Sequence, residues 1–319
     1  MSRSKGKARA VDLIQRSGLY FVFLALIAFF ALNNGKFFSV ANMLAILQGS
    51  VAWGVLTVGM IFVLITGGVD ISVGSTMYAG IITYALSTQR LGAPMPAALL
   101  LAVMTGALFG LINGFLIGYV KLLPFVATLA TMGIARGAAQ LACGGKMAYL
   151  EYQDIICGST GGMPNNLLFL ALILLAGQFI LSYTRFGRQL YAIGNDESGA
   201  AKIGIDVARK KLMVYVISGI CAALAGCLHG VRIGIATATF GEGEEFTALS
   251  AAVIGGTSLF GGRGRVIPGA IIGIMIFQMI FNGLLMMGAS AYAQTIFRGA
   301  VILVAVLADS VKNGSRILH

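Results

Sequence analysis

Between residues 18 and 310 the chain is almost continuously apolar, cut into stretches of about 20 residues by short polar segments. Lipid offers no hydrogen-bond partner to a free backbone amide, so stretches of this kind cross a bilayer only as helices. The pattern predicts an all-α integral membrane protein of about ten transmembrane helices. The expected spans are 18–33, 42–66, 72–88, 97–119, 124–143, 166–183, 212–230, 248–260, 266–287 and 293–310. The third and eighth are short and interrupted by glycine, which marks them as candidates for broken or re-entrant segments. Charged residues make up only 10% of the chain against about 25% in soluble domains, so most of its surface must face something other than water.

The net charge of +11 raises the question of a nucleic-acid partner. The basic residues instead sit in small clusters between apolar runs, the pattern of membrane topology rather than of a phosphate-binding face, and no nucleic acid is expected. With the N-terminus inside, the inner segments hold 16 Lys and Arg, and the outer segments hold Lys36, Arg90, Lys146 and Arg232. Both termini are therefore expected in the cytoplasm. The resulting division is a cytoplasmic tail over 1–17, a single transmembrane domain over 18–310 and a second cytoplasmic tail over 311–319. An inner loop spans 185–211, and outer loops span 144–165 and 231–247.

Internal repetition is faint. Ile134-Ala135-Arg136-Gly137-Ala138 echoes Ile296-Phe297-Arg298-Gly299-Ala300, about half the chain away, and five helices per half would make the halves inverted. Gly67-Gly68 with Gly74 also echoes Gly255-Gly256 with Gly262, at a different offset.

Several chemistries have no residues to perform them. No GxxxxGK[ST] phosphate loop occurs, and His229 and His319 cannot assemble a metal site. No arginine ladder or TVGYG-type filter is present. No catalytic residue, metal or cofactor is expected in this chain.

Four strings are more specific. One is the inner segment Thr184-Arg185-Phe186-Gly187-Arg188, continuing through Tyr191 to Asn195-Asp196-Glu197-Ser198-Gly199-Ala200-Ala201-Lys202-Ile203-Gly204. Here Asn195 is expected to cap a two-turn surface helix, Asp196 and Glu197 suit its positive end, and Gly204 terminates it. The others are Ile65-Thr66-Gly67-Gly68-Val69-Asp70-Ile71-Ser72-Val73-Gly74-Ser75, Pro124 to Gly137, and Ala251 to Gly262. Together, in this order, they resemble the permease subunits of bacterial ABC importers for ribose, xylose, arabinose and galactose. The resemblance implies a second permease copy, a cytoplasmic ABC ATPase that holds ATP and magnesium, and an extracytoplasmic sugar-binding protein. It makes the helix carrying Asn195, Asp196, Glu197, Ala200, Ala201 and Gly204 an ATPase-docking (coupling) helix. Members of that family usually carry an acidic residue two positions after the glutamate that opens the eighth span. Here Glu245 is followed by Phe246 and Thr247, so Glu242 or Glu244 is left to take that role.

Candidate residues for a gate or path are Asp70, Ser72, Asn113, Thr128, Thr131 and Asn282, with Gln278 beside them. Asp70 is expected to accept hydrogen bonds from backbone N–H groups freed where the glycines break the helix, shaping a gate. The other polar residues serve equally as interhelical contacts. Glu242, Glu244 and Glu245 form an outer acidic run, either a solvated loop or a docking site for the binding protein. Arg136 and Arg298 either reach the outer interface or face the path. Cys143 and Cys157 lie where a disulfide is permitted. A proton- or sodium-coupled secondary transporter is the alternative function, and Asp70 is its one candidate for a coupling carboxylate.

Overall fold

The computed structural model describes residues 24–151 and 154–314. The helices are α1 (Leu24–Asn33), α2 (Val40–Ile65), α3 (Val73–Leu91), α4 (Met95–Gly118) and α5 (Pro124–Cys143). They continue as α6 (Asp154–Cys157), α7 (Asn165–Tyr183), α8 (Arg185–Asn195), α9 (Glu197–Lys202), α10 (Val207–Ile233), α11 (Glu244–Ile254), α12 (Ile271–Met286) and α13 (Ala291–Gly314). The chain is an all-α, multi-pass membrane protein. Among the described residues, six helices have the length and apolar composition to cross a bilayer: α2, α4, α5, α7, α10 and α12 with its lead-in from Val266.

Several spans differ from their expected bounds. The first lies partly outside the described residues. The third is a continuous helix of 19 residues, not a broken one, and 13 of those residues are buried. Its hydroxyls at Thr83, Ser87 and Thr88 bond back to carbonyls of the preceding turn, which is how α3 carries polar residues inside the bundle. The eighth shrinks to α11, whose 11 residues extend only about 16 Å at 1.5 Å per residue. The seventh begins at Val207, because Asp206 caps it through the amide of Arg209. Arg209, Lys210 and Lys211 are thus helical, not loop.

α10 is the centre of the fold. Its most extensive contact is with α4, and the two helices run antiparallel. Gly106, Gly110, Gly114 and Gly118 form a ridge at four-residue spacing. A Cβ on any of them would run into the α10 backbone, at Gly219, Tyr215, Leu212 and Ala208 respectively. The backbones approach closely only because those positions lack side chains. α10 also lies antiparallel to α2, with Gly59 against Ser218 and Gly68 against Tyr215, and parallel to α3, with Gly80 against Ala223 and Gly230 against Ile81.

The two halves use the same order of elements, and the long helix that opens one runs antiparallel to that of the other. In each, a long helix (α2 or α10) leads through a loop into a helix that starts in the interior (α3 or α11). Two further helices follow, the last of which carries the arginine of the repeated string (Arg136 or Arg298). Strand Ala148–Tyr149 pairs antiparallel with Ile235–Ala236 and joins the two segments expected as outer loops. No disulfide joins Cys143 to Cys157; the Cys143 thiol donates to the Gln140 carbonyl at 3.4 Å.

Candidate functional site

The first turns of α3 and α11 meet head to head within the protein. A Cβ on Gly74 would run into the carbonyl of Gly241 and the carboxylate of Glu245, and one on Gly241 would run back into Gly74. The loop before α11 reaches this depth through Gly241 (φ +77°) and Gly243 (φ +78°), a conformation costly to any residue with a Cβ. Each helix N-terminus exposes free amides and a partial positive charge, so a carboxylate placed between the two is stabilised by both.

Beside this junction lies a buried hydrogen-bond network built on Asp70, which is 1% exposed. Asp70 Oδ1 accepts from Ser72 Oγ at 2.6 Å and from Ser72 N at 3.0 Å, and Oδ2 accepts from Ser218 Oγ at 2.8 Å. Asn113 Nδ2 donates to Ser72 Oγ at 2.8 Å, and Thr131 Oγ1 donates to Asn113 Oδ1 at 2.6 Å. Four of the six residues singled out for the gate or path, Asp70, Ser72, Asn113 and Thr131, thus form one network. It ties the α2–α3 bend to α4, α5 and the middle of α10. Every donor points towards the carboxylate, the arrangement that satisfies its ionised form. Asp70 does accept one amide freed by the helix break. Its other oxygen, however, is held by Ser218, which local sequence reasoning did not single out.

The side chains of the remaining two lie apart from this network, although the Thr128 carbonyl is 3.1 Å from Thr131 Oγ1. Thr128 is buried and bonds back to Pro124 O at 2.8 Å on its own helix. Asn282 is on α12, and its Oδ1 is buried with no hydrogen-bond partner. Gln278 packs over Gly49 of α2.

Both repeated arginines turn inward onto the loop that opens α11. Arg136 donates to Ser75 Oγ (3.2 Å) and Ala238 O (2.8 Å), sits 3.5 Å from Glu242, and covers the Tyr78 ring. Arg298 lies 3.8 Å from Glu244 and over the Phe281 ring. The acidic run is accordingly not a uniformly solvated loop. The Glu242 side chain is 54% exposed and that of Glu244 17%, while Glu245 is buried.

At the other end of α10 lies the expected docking segment, built from two helices. α8 is amphipathic, with Gly187, Leu190 and Ile193 buried. Asn195 is its last residue and donates to Tyr191 O at 2.8 Å, so it does not cap the next helix. Asp196 does: its Oδ1 accepts from Gly199 N at 3.0 Å and Ser198 Oγ at 2.8 Å, and these bonds hold its carboxyl below the usual carboxylate range. Glu197 opens α9 and pairs with Lys211 of α10 at 2.7 Å. Gly204, at φ +84°, follows its end. Asn195, Asp196, Glu197, Ala201 and Gly204 are exposed, whereas Ala200 packs inward at 3%. Ile203, not singled out in the sequence, is 76% exposed at the tip.

Comparison with known proteins places this geometry. Residues 42–306 match the family described as "Branched-chain amino acid transport system / permease component". The chain is 35% identical over 299 residues to the ribose import permease protein RbsC of Escherichia coli (strain K12), covering 91% of this chain and 92% of the relative. It is 36% identical over 312 residues to RbsC of Bacillus subtilis (94% of each). It is 33% identical over 341 residues to the galactose/methyl galactoside import permease protein MglC of Haemophilus influenzae (97% and 98%). No solved structure matches the chain. A family match spanning most of the sequence, with relatives aligned nearly end to end, makes this chain a member of that permease-component family.

Proposed function

We propose that this chain is the membrane subunit of an ATP-binding-cassette importer and forms the path for a monosaccharide delivered by an extracytoplasmic binding protein. The observation that carries the reading is its end-to-end similarity to permeases named for ribose and galactose import. In this reading the protein sits in the bacterial inner membrane with about ten crossings and both termini inside, as its charge distribution favours. Two permease copies enclose the path. ATP and magnesium are held by the ATPase partner, which docks on α9 through Asn195, Asp196, Glu197, Ala201 and Gly204, with Ala200 anchoring the helix from within. The Asp70–Ser72–Asn113–Thr131 network shapes the gate, Thr128 and Asn282 flank the path, and the turn at Glu242, Glu244 and Glu245 faces the binding protein through Glu242.

The chemistry is conformational. Closure of the ATPases moves α9, and the inner and outer openings alternate while the solute passes between hydroxyl, amide and backbone groups. A proton-coupled transporter needs a carboxylate free to gain and lose a proton, and a sodium-coupled one needs oxygens free to bind the ion, whereas both Asp70 oxygens are engaged by Ser72 and Ser218. Proteoliposomes holding the permease, its ATPase and its binding protein test the proposal with labelled ribose, galactose and allose. Uptake is expected to require internal ATP and to survive an ionophore. Uptake that follows an ion gradient without ATP would overturn it.

A further inference from the structure

The docking helix is not joined to the gate by one contact but to both halves of the protein at a single point. Gly194, in the last turn of α8, lies against the carbonyl of Ile65 at the end of α2 and the amide of Gly262 in the loop after α11. No Cβ fits there. Those two segments are themselves joined, because Gly262 N donates to Ile65 O at 2.9 Å. A Cβ on Gly261 would fall 2.8 Å from Gly194 O and 3.0 Å from Gly67 N. Tyr191, one turn earlier on α8, donates through its hydroxyl to Gly264 O at 2.7 Å. Asn195 ties itself back to Tyr191, and its amide covers Gly262.

Ile65 leads through Gly67 and Gly68 into Asp70 and α3. Gly262 leads back through Gly256 and Gly255 into α11. These are the inner flanks of the two helices whose heads meet at Gly74 and Gly241. Resting on the function proposed above, we infer that the last turn of α8, centred on Gly194 and Tyr191, is a positioning relay that carries a movement of α9 to α3 and α11 together. Three backbones in direct contact have no side-chain rotamers with which to absorb a displacement, so a shift at one is passed to the others. Beside the junction lies a cavity of about 320 Å³ bounded by Thr66, Gly68, Pro124, Asn195, Glu197 and Tyr215, which leaves α9 room to move towards the bend. Because both flanks share one contact, neither helix shifts without the other.

The test compares solute uptake with ATP hydrolysis in the same proteoliposomes, using the complete complex with Gly194→Ala or Tyr191→Phe. Gly194→Ala is expected to lower uptake by about tenfold or more while hydrolysis stays within about twofold, a coupling loss of ordinary allosteric size. Tyr191→Phe removes one hydrogen bond and should lower the uptake-to-hydrolysis ratio by about threefold. Uptake and hydrolysis falling in parallel would assign α8 to docking alone and overturn the relay, as would two unchanged ratios. Should Gly194→Ala fail to accumulate in the membrane, the ratio for Tyr191→Phe decides the question. A wild-type complex without ATP-driven uptake overturns the proposed function and the relay with it, whereas a wild type that transports beside variants with unchanged ratios overturns the relay only.

Discussion

The carboxylate of Glu245 lies against Gly74, so the first turn of α11 presses its own acidic side chain onto the first turn of α3. A methyl group at Gly74 forces the two helices apart. Gly74→Ala is expected to cost about 1–3 kcal/mol through overpacking. Gly110→Ala, which sets a methyl against the Tyr215 carbonyl on α10, belongs in the same range. Gly133→Ala is the control: nothing lies within 4 Å of its Cβ, and inside helix α5 it should leave stability unchanged or raise it by up to about 1 kcal/mol. Thermal unfolding in detergent, followed through the single tryptophan, Trp53, ranks the three.

Removing the Asp70 carboxylate strands three donors. Asp70→Ala leaves Ser72 N, Ser72 Oγ and Ser218 Oγ without their acceptor in a buried site, at about 1–3 kcal/mol for each group that finds no other partner. Asp70→Asn keeps one oxygen for Ser72 and offers an amide to the Ser218 hydroxyl, which accepts as readily as it donates. The asparagine variant should therefore retain most ATP-driven uptake and the alanine variant little. Uptake rates normalised to membrane protein measure the difference, and a dead asparagine variant with wild-type stability would point instead to a titrating role.

Charge reversal in the acidic run should have opposite consequences at neighbouring positions. Glu242→Lys alters an exposed side chain whose partner, Arg136, keeps its bonds to Ser75 and Ala238. The protein should assemble normally while uptake dependent on the binding protein falls, with the larger effect at low salt. Glu245→Lys buries a cation between two helix N-termini and should prevent accumulation of folded protein. Size-exclusion profiles and the salt dependence of uptake separate the two outcomes.

Ile203 presents a large apolar side chain on the tip beside α9. Ile203→Asp should weaken retention of the ATPase by about tenfold or more if that side chain is an anchor of the docking surface. Co-purification of the ATPase partner in detergent measures it. A fully retained partner would move the docking site away from this tip.

The local features of the site were legible and the long-range ones were not. The Gly-Gly-Val-Asp-Ile-Ser string announces a helix break with a carboxylate beside free amides, and Ser72 N indeed serves Asp70. The Ser218 contact depends on the register of α10 against α2, which no short motif encodes. Asn195 and Asp196 are equally good caps by residue type. The choice fell to Asp196 because Leu190 and Ile193, on one face with Gly187, keep α8 helical through Asn195. That apolar spacing is visible in the sequence, though it lies among arginines that suggest a loop. Glu244 and Glu245 looked solvated because charge argues for water. Their depth is set by the glycine turn at 241–243, which carries the loop inward to meet α3. The two copies of the arginine string share a destination that their spacing does not reveal, since Arg136 and Arg298 both reach the turn that opens α11.

The glycine ridge of α4 also bears on how the protein is made. Its partner face belongs to α10, so the ridge emerges from the ribosome well before the surface it fits, with α5 to α9 synthesised in between. Until α10 is made, the closest-packing face of α4 has no native partner, and the central seam cannot close. A chain truncated ahead of α10 lacks the middle of its bundle, not merely its last helices. By chain order alone, the most intimate interface of this protein is among the last that its synthesis can complete.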